Sequence, residues 1–160
     1  MKPNQVFARM TPERAVELLA ALKQKVPGIY TQAVGAACVT LHARPQFMMK
    51  QSAEKRGHFV RQALARVAAA PIAEEVLAAY FLEVRRELLI EWLDALAIEH
   101  ENGILKNEQP PAPPPDRLEA AVAKFRAGEG AADRALLLEA FAAQDAIDWP
   151  ALDALLGGVE

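Results

Sequence analysis

Basic side chains in the first half of the chain form the strongest candidate binding site. In chain order they are Arg44, Lys50, Lys55, His58, Arg61 and Arg66. Helical spacing places most of them on one side of a predicted helix. Guanidinium and ammonium groups bind phosphates, so this face could bind nucleic acid or another anion. The favoured interpretation is a solvated helix face, or one paired with the acidic side chains Glu83, Glu87, Glu91 and Asp94 of the same chain.

Arg85 is a second candidate for binding an anion. In a predicted long helix it lies on the apolar side, near Phe81, Leu88 and Leu89. A guanidinium buried there needs a carboxylate or several carbonyl oxygens, because an unpaired buried charge is very costly. Alternatively, its stem packs against these neighbours while the charged end reaches water. The second interpretation is favoured, and whether Arg85 is buried and paired stays open.

Residue types that usually carry catalysis or metal binding show no productive spacing. His42, His58 and His100 share no i, i+3 or i, i+4 relation. Cys38, the single cysteine, lies in an uncharged predicted helix, where thiols are usually inert. There is no glycine-rich phosphate loop, serine elbow or catalytic pair of carboxylates. We therefore predict no metal, no cofactor and no enzymatic activity.

The end of the chain offers a candidate docking helix. Its apolar side is formed by Trp149, Leu152, Leu155 and Leu156. These anchors could enter the groove of a partner protein, or they could close the core of this protein. The preceding proline tract at 110–115 favours an extended, stiff spacer over a ligand for an aromatic groove.

Charge is strongly asymmetric along the sequence. Residues 1–70 hold eleven Lys and Arg against three Asp and Glu, a net charge of +8, whereas residues 71–160 hold seven against eighteen, a net charge of −11. Either the two parts neutralise each other, or a basic surface faces an acidic partner or a polyanion. A lone cysteine excludes an intramolecular disulfide, and no long apolar stretch is free of charges. We expect a soluble, cytoplasmic protein.

The composition predicts helices. Alanine occupies 33 of 160 positions, whereas Val, Ile and Thr together occupy 20. Four helices are predicted in the first part, over residues 12–25, 29–41, 53–69 and 71–97. The uncharged second helix is expected to be central and buried, and Phe47, Met48 and Met49 in the following connection are expected to face inward. Thr11 and Ser52 are the predicted N-caps of the first and third helices.

The remaining elements are predicted to be short. Asn102-Gly103 indicates a tight turn or a minute β-hairpin within residues 98–106. Short helices are predicted at 116–127, 132–143 and 148–156, the last capped by Asp148. The sequence therefore predicts an all-α fold with a helical bundle at 1–106, a Pro-rich spacer at 107–115 and a C-terminal helical appendage or cap at 116–160.

These features favour a non-enzymatic helical module for protein interaction or assembly, which binds another protein or a second copy of itself. Binding of nucleic acid or an anion through the basic half is the alternative. Nucleic acid is less favoured because the close helix pair at 12–41 has an uncharged second helix, unlike a helix-turn-helix, and the whole chain is acidic.

Overall fold

The computed structural model describes residues 1–157 and confirms an all-α fold with one minute hairpin. The α-helices are α1 (Pro3–Arg9), α2 (Pro12–Lys25), α3 (Pro27–Thr40), α4 (Pro45–Lys50), α5 (Ala53–Leu64), α6 (Ala70–Ala79), α7 (Arg86–Ala95), α8 (Pro115–Arg126), α9 (Ala131–Ala142) and α10 (Pro150–Leu155). A 3₁₀ turn covers Val67–Ala69, a π-helical segment covers Tyr80–Val84, and β1 (His100–Glu101) pairs antiparallel with β2 (Ile104–Leu105). None of the described helices is long and apolar enough to cross a membrane.

Local signals at the helix starts explain most of these boundaries. Six of the helices begin with proline, whose fixed φ and missing N–H suit the first helical position. The side chains of Thr11 and Ser52 accept hydrogen bonds from the third backbone N–H that follows each, which confirms both predicted caps. The predicted cap at Asp148 is wrong, because α10 begins after Trp149 and has no side-chain cap.

The chain divides into two compact units. The N-terminal unit comprises residues 2–84, and the C-terminal unit comprises the chain from Arg85 onward together with Met1. The predicted spacer at 107–115 therefore lies inside the C-terminal unit. Separate folding of residues 1–106 and 116–160 stays a prediction.

The predicted continuous helix over 71–97 is wrong. It is interrupted by the π-helical segment and by Arg85, whose φ of −125° and ψ of 43° are not helical. The reason is that the wide apolar face of this segment packs into two separate hydrophobic cores. Leu77 and Phe81 are buried in the N-terminal unit, whereas Leu88 and Trp92 are buried in the C-terminal unit.

The N-terminal unit is built on the mutual packing of α2, α3 and α5, with α1 and α6 against them. Helices α2 and α5 approach closely at Gly57. A Cβ atom added at Gly57 would lie 2.7 Å from Cγ2 of Val16 and 3.3 Å from its Cα. This glycine is therefore required by packing, since its φ is not in the left-handed region.

An aromatic cluster forms the centre of the C-terminal unit. Trp92 is fully buried, and its ring centroid lies 5.3 Å from that of Phe125 and 5.8 Å from that of Phe141. Trp149 packs on Phe141, and its Nε1 donates a hydrogen bond of 3.0 Å to the carbonyl of buried Pro110. The first proline of the tract is thus anchored to the core.

Two glycines on helices of the N-terminal unit give a matched test of this packing. We expect Gly57→Ala to lower the free energy of unfolding by about 1–3 kcal/mol, because the added methyl group overpacks against Val16. Gly35→Ala should raise it by about 0.5–1 kcal/mol, because alanine is the better helix former and a Cβ at exposed Gly35 meets no atom within 4 Å. Urea denaturation measures both. Equal effects of the two substitutions would contradict the close contact at Gly57.

Candidate interaction surface

Helix α3 buries one side and leaves its outer side uncovered. The buried side consists of Ala33, Val34, Ala37 and Cys38. The exposed side consists of Gly28, Thr31, Gln32, Gly35 and Val39. The prediction that this helix is buried is therefore wrong for its outer side. The absence of charged side chains does not require burial, because small and neutral polar residues also tolerate solvent.

Helix α4 exposes two large apolar side chains. Met48 is fully buried, whereas Phe47 is 50% exposed and Met49 is 59% exposed. The prediction that all three face inward is correct only for Met48. Successive residues of a helix point about 100° apart, so a single-turn helix that buries Met48 must turn both neighbours away from the core.

Arg56 on α5 holds α4 in this position. Its guanidinium donates to the carbonyls of Met48 (3.2 Å), Met49 (3.0 Å) and Gln51 (2.8 Å), and also to the hydroxyl of Tyr30 (3.1 Å). Arg56 is only 7% exposed. A helix of six residues is marginal by itself, and its last carbonyls lack partners within the helix. Arg56 supplies those partners, so the exposure of Phe47 and Met49 is built into the fold.

The 3₁₀ turn adds another exposed apolar side chain beside α3. Val67 is 80% exposed and Val39 is 76% exposed. Arg66 joins the two elements, because its Nη1 donates to the carbonyl of Thr40 at the end of α3. Both α4 and the turn pack on α3. We define the α3–α4 surface as the exposed apolar side chains on these three elements, Val39, Phe47, Met49 and Val67.

The surroundings of the α3–α4 surface are basic. No acidic residue occurs between Lys25 and Glu54. Arg44, Lys50 and Lys55 are exposed, and their side chains form no ion pair with any residue of the described chain. Their charges are therefore available to an external partner.

The other predicted phosphate contacts have structural roles or are shielded. Arg61 donates to the carbonyls of Met10 and Ala8 and so joins α5 to the end of α1. Nε2 of His58 is shielded from solvent and has no hydrogen-bond partner within residues 1–157. Of the six predicted basic residues, Arg44, Lys50 and Lys55 are the ones that combine exposure with an uncommitted charge.

Arg85 is paired and half-buried. Its Nε lies 2.9 Å from Oδ2 of Asp133, and its Nη1 lies 3.3 Å from Oε1 of Glu87. The Nε–H of Arg85 does not point at Oδ2 of Asp133, so this 2.9 Å contact is an ion pair and not a hydrogen bond. This arrangement lies between the two alternatives that the sequence left open, because the charged end has carboxylate partners and is still 33% exposed.

The predicted docking helix is α10, and its main anchors lie in the core. Trp149 is 3% exposed and Leu152 is fully buried, whereas Leu155 and Leu156 are half-buried. Of the two alternatives for this helix, the structure therefore shows the one in which it closes the core of its own unit.

Neither a metal centre nor a known relative assigns a function. Within residues 1–157, no three His, Cys, Asp or Glu side chains converge in a way that could hold a metal ion. In comparisons with known proteins, no family model, curated protein or solved structure matches this chain.

The residues of the α3–α4 surface were not among the candidate sites from the sequence. The sequence pattern places Val39 in a helix predicted to be buried and Val67 on the apolar side of the predicted helix over 53–69, and both predictions are wrong because these side chains are exposed. The sequence does contain a usable signal, which is the long stretch without acids together with prolines at 27 and 45 that begin new helices.

Replacement of Arg56 tests whether it holds this surface. We expect Arg56→Ala to lower the free energy of unfolding by about 2–4 kcal/mol, because it leaves the carbonyls of Met49 and Gln51 and the hydroxyl of Tyr30 without their donor, and leaves the Met48 carbonyl with the backbone N–H of Gln51 alone. Arg85→Ala should cost about 1 kcal/mol, since its ion pairs are partly solvated. Exposed Arg44→Ala is the control and should change stability by less than about 0.5 kcal/mol. Urea denaturation ranks the three, and an Arg56→Ala protein as stable as the control would refute this role.

Proposed function

We propose that this chain is a non-enzymatic protein-interaction module and that its α3–α4 surface binds a protein partner. The observation that carries the proposal is the fixed exposure of Val39, Phe47, Met49 and Val67, at 76%, 50%, 59% and 80%. Fully burying one such side chain contributes about 1.5–3 kcal/mol relative to leaving it exposed. Exposed apolar side chains that form a contiguous patch with a polar border are typical of protein contacts.

The chemistry of the surface specifies the chemistry of its partner. Phenylalanine, methionine and arginine are enriched in the core of protein interfaces, whereas lysine and acidic residues are depleted there and lie mainly at the polar rim. Arg44 and Lys50 add positive charge within the stretch between Lys25 and Glu54 that contains no acid, and Lys55 follows directly after Glu54. The partner therefore presents apolar side chains flanked by carboxylates, which speeds the encounter and selects the orientation.

A protein partner explains these residues better than a nucleic acid does. Phosphate binding would use the basic side chains but gives no role to exposed Val39, Met49 and Val67. Arg61 and Arg66 already donate to backbone carbonyls of their own unit. The chain as a whole carries a net charge of −3, which opposes association with a polyanion.

Site-specific photo-crosslinking in the cells that produce the protein tests the proposal. A photoreactive phenylalanine analogue at position 47 or 67 should give a discrete adduct whose mass shift is removed by protease, because both positions lie on the α3–α4 surface. The control is the same analogue at Glu13, an exposed residue of α2 in the same unit.

The control position should give at least about tenfold less adduct, corresponding to the difference between specific contact and random collision. Equal adducts at positions 13, 47 and 67 would refute a specific surface. Adducts whose mass shift is also removed by nuclease would assign the surface to nucleic acid and replace the proposal with its alternative.

A further inference from the structure

The C-terminal unit presents an exposed apolar side chain on the β-hairpin. Ile104 is 64% exposed, and it is the one large hydrophobic residue with such exposure between Arg85 and Gly157. It lies directly across the hairpin from Glu101, which is also exposed. A branched apolar side chain and a carboxylate are therefore displayed side by side.

The hairpin is held in a defined conformation. Asn102 and Gly103 have φ angles of 55° and 94°, as the tight turn of a two-residue hairpin requires. Nδ1 of His100 accepts a hydrogen bond of 3.1 Å from the backbone N–H of Gly103, so the ring proton is on Nε2, which lies 2.7 Å from Oδ1 of Asp94. The imidazole of His100 therefore connects the turn to the end of α7 through two contacts. Because the turn is already ordered, little conformational entropy is lost when a partner binds it.

The electrostatic setting of the hairpin is opposite to that of the α3–α4 surface. Glu99, Glu101 and Glu108 are exposed around it, against a single exposed base, Lys106. The same contrast holds for the whole units. Residues 2–84 contain eleven Lys and Arg and six Asp and Glu, whereas the chain from Arg85 onward contains seven and fifteen.

We infer that the partner of the α3–α4 surface is the hairpin of a second copy of this chain. The inference rests on the proposed function and adds the identity of the partner. Ile104 contacts the exposed apolar side chains, while Glu99 and Glu101 approach Arg44 and Lys50. Both members of a complementary pair, apolar and of opposite charge, occur on one chain and are exposed on it.

The association that follows is head-to-tail. A symmetric pairing of two α3–α4 surfaces would bring Arg44, Lys50 and Lys55 of both copies together, and like charges in contact are unfavourable. Binding between two different surfaces leaves one of each free at the ends of a dimer. Further copies then add to form a ring or a filament.

Sedimentation velocity of the purified full-length protein over a wide range of concentrations tests the inference. The weight-average mass should rise above that of the monomer as concentration increases. Raising the salt concentration from 0.1 M to 1 M shortens the Debye length from about 10 Å to about 3 Å, so association should weaken. A protein that stays monomeric at every concentration would overturn the inference, whereas the proposed function would still stand if position 47 crosslinks to a different protein.

Two charge-reversal variants identify the surfaces. Arg44→Glu/Lys50→Glu makes the basic surface acidic, and Glu99→Lys/Glu101→Lys makes the hairpin basic. Each variant alone should associate at least about tenfold more weakly than the parent. An equimolar mixture should associate again, because the basic hairpin of one variant fits the acidic surface of the other, and the two unchanged surfaces still fit each other.

The control is Arg117→Glu/Lys124→Glu on the exposed side of α8, which changes the net charge as much as the first variant does. It should associate like the parent protein. A mixture of the two reversal variants that remains monomeric, or a control that loses association to the same degree, would overturn the assignment of these surfaces. Far-ultraviolet circular dichroism confirms that each variant is folded before it is compared.

Discussion

Burial of the Arg56 guanidinium is the constraint on which the N-terminal unit and its surface depend. A buried positive charge without a carboxylate must be compensated by dipoles, and here three carbonyls and one hydroxyl provide them. Satisfying that requirement fixes the end of α4 next to α3 and α5. The exposed positions of Phe47 and Met49 follow from it, because the same six-residue helix must also bury Met48.

The C-terminal unit also contains a buried arginine that donates hydrogen bonds to backbone carbonyls, and this one has a carboxylate partner as well. Arg134 is 8% exposed and donates to the carbonyls of Phe125 and Glu129 and to Oε2 of Glu91, while its guanidinium stacks on the ring of Phe125. In both units the buried guanidinium binds carbonyls at the C-terminal end of a helix, where the helix dipole is negative. The acidic side chains of α7 are also used within their own unit, since Glu91 pairs with Arg134 and Asp94 with His100.

These anchors connect the packing of each unit to the proposed interaction. An interface binds strongly when its anchors are held in place before binding, because less entropy is then lost on association. Arg56 does this for the α3–α4 surface, and His100 does it for the tip of the hairpin. The segregation of positive and negative charge along the sequence then gives the two surfaces complementary potentials. Apolar contact would supply the affinity, and charge would supply the orientation and the rate of encounter.

The sequence alone determined the helical class, most helix starts and the hairpin, because these depend on interactions within a few residues. Proline at first helical positions, the Thr11 and Ser52 caps, and Asn102-Gly103 act locally. Tertiary structure decided the rest. The break at Arg85 arises because one helical pattern serves two cores, and the exposed side of α3 depends on which neighbours pack against it. Likewise, the sequence predicts Arg61 and Arg66 as members of one basic face and gives no special role to Arg56 on the same predicted helix. Only the tertiary structure determined which of them is buried as an anchor. Arg56 is buried because the end of α4 folds back onto α5 and brings the carbonyls of Met48, Met49 and Gln51 to its guanidinium, whereas the carbonyl partners of Arg61 and Arg66 come from α1 and α3. Neither the path of a connection nor a partner on another helix leaves a periodic trace in the sequence.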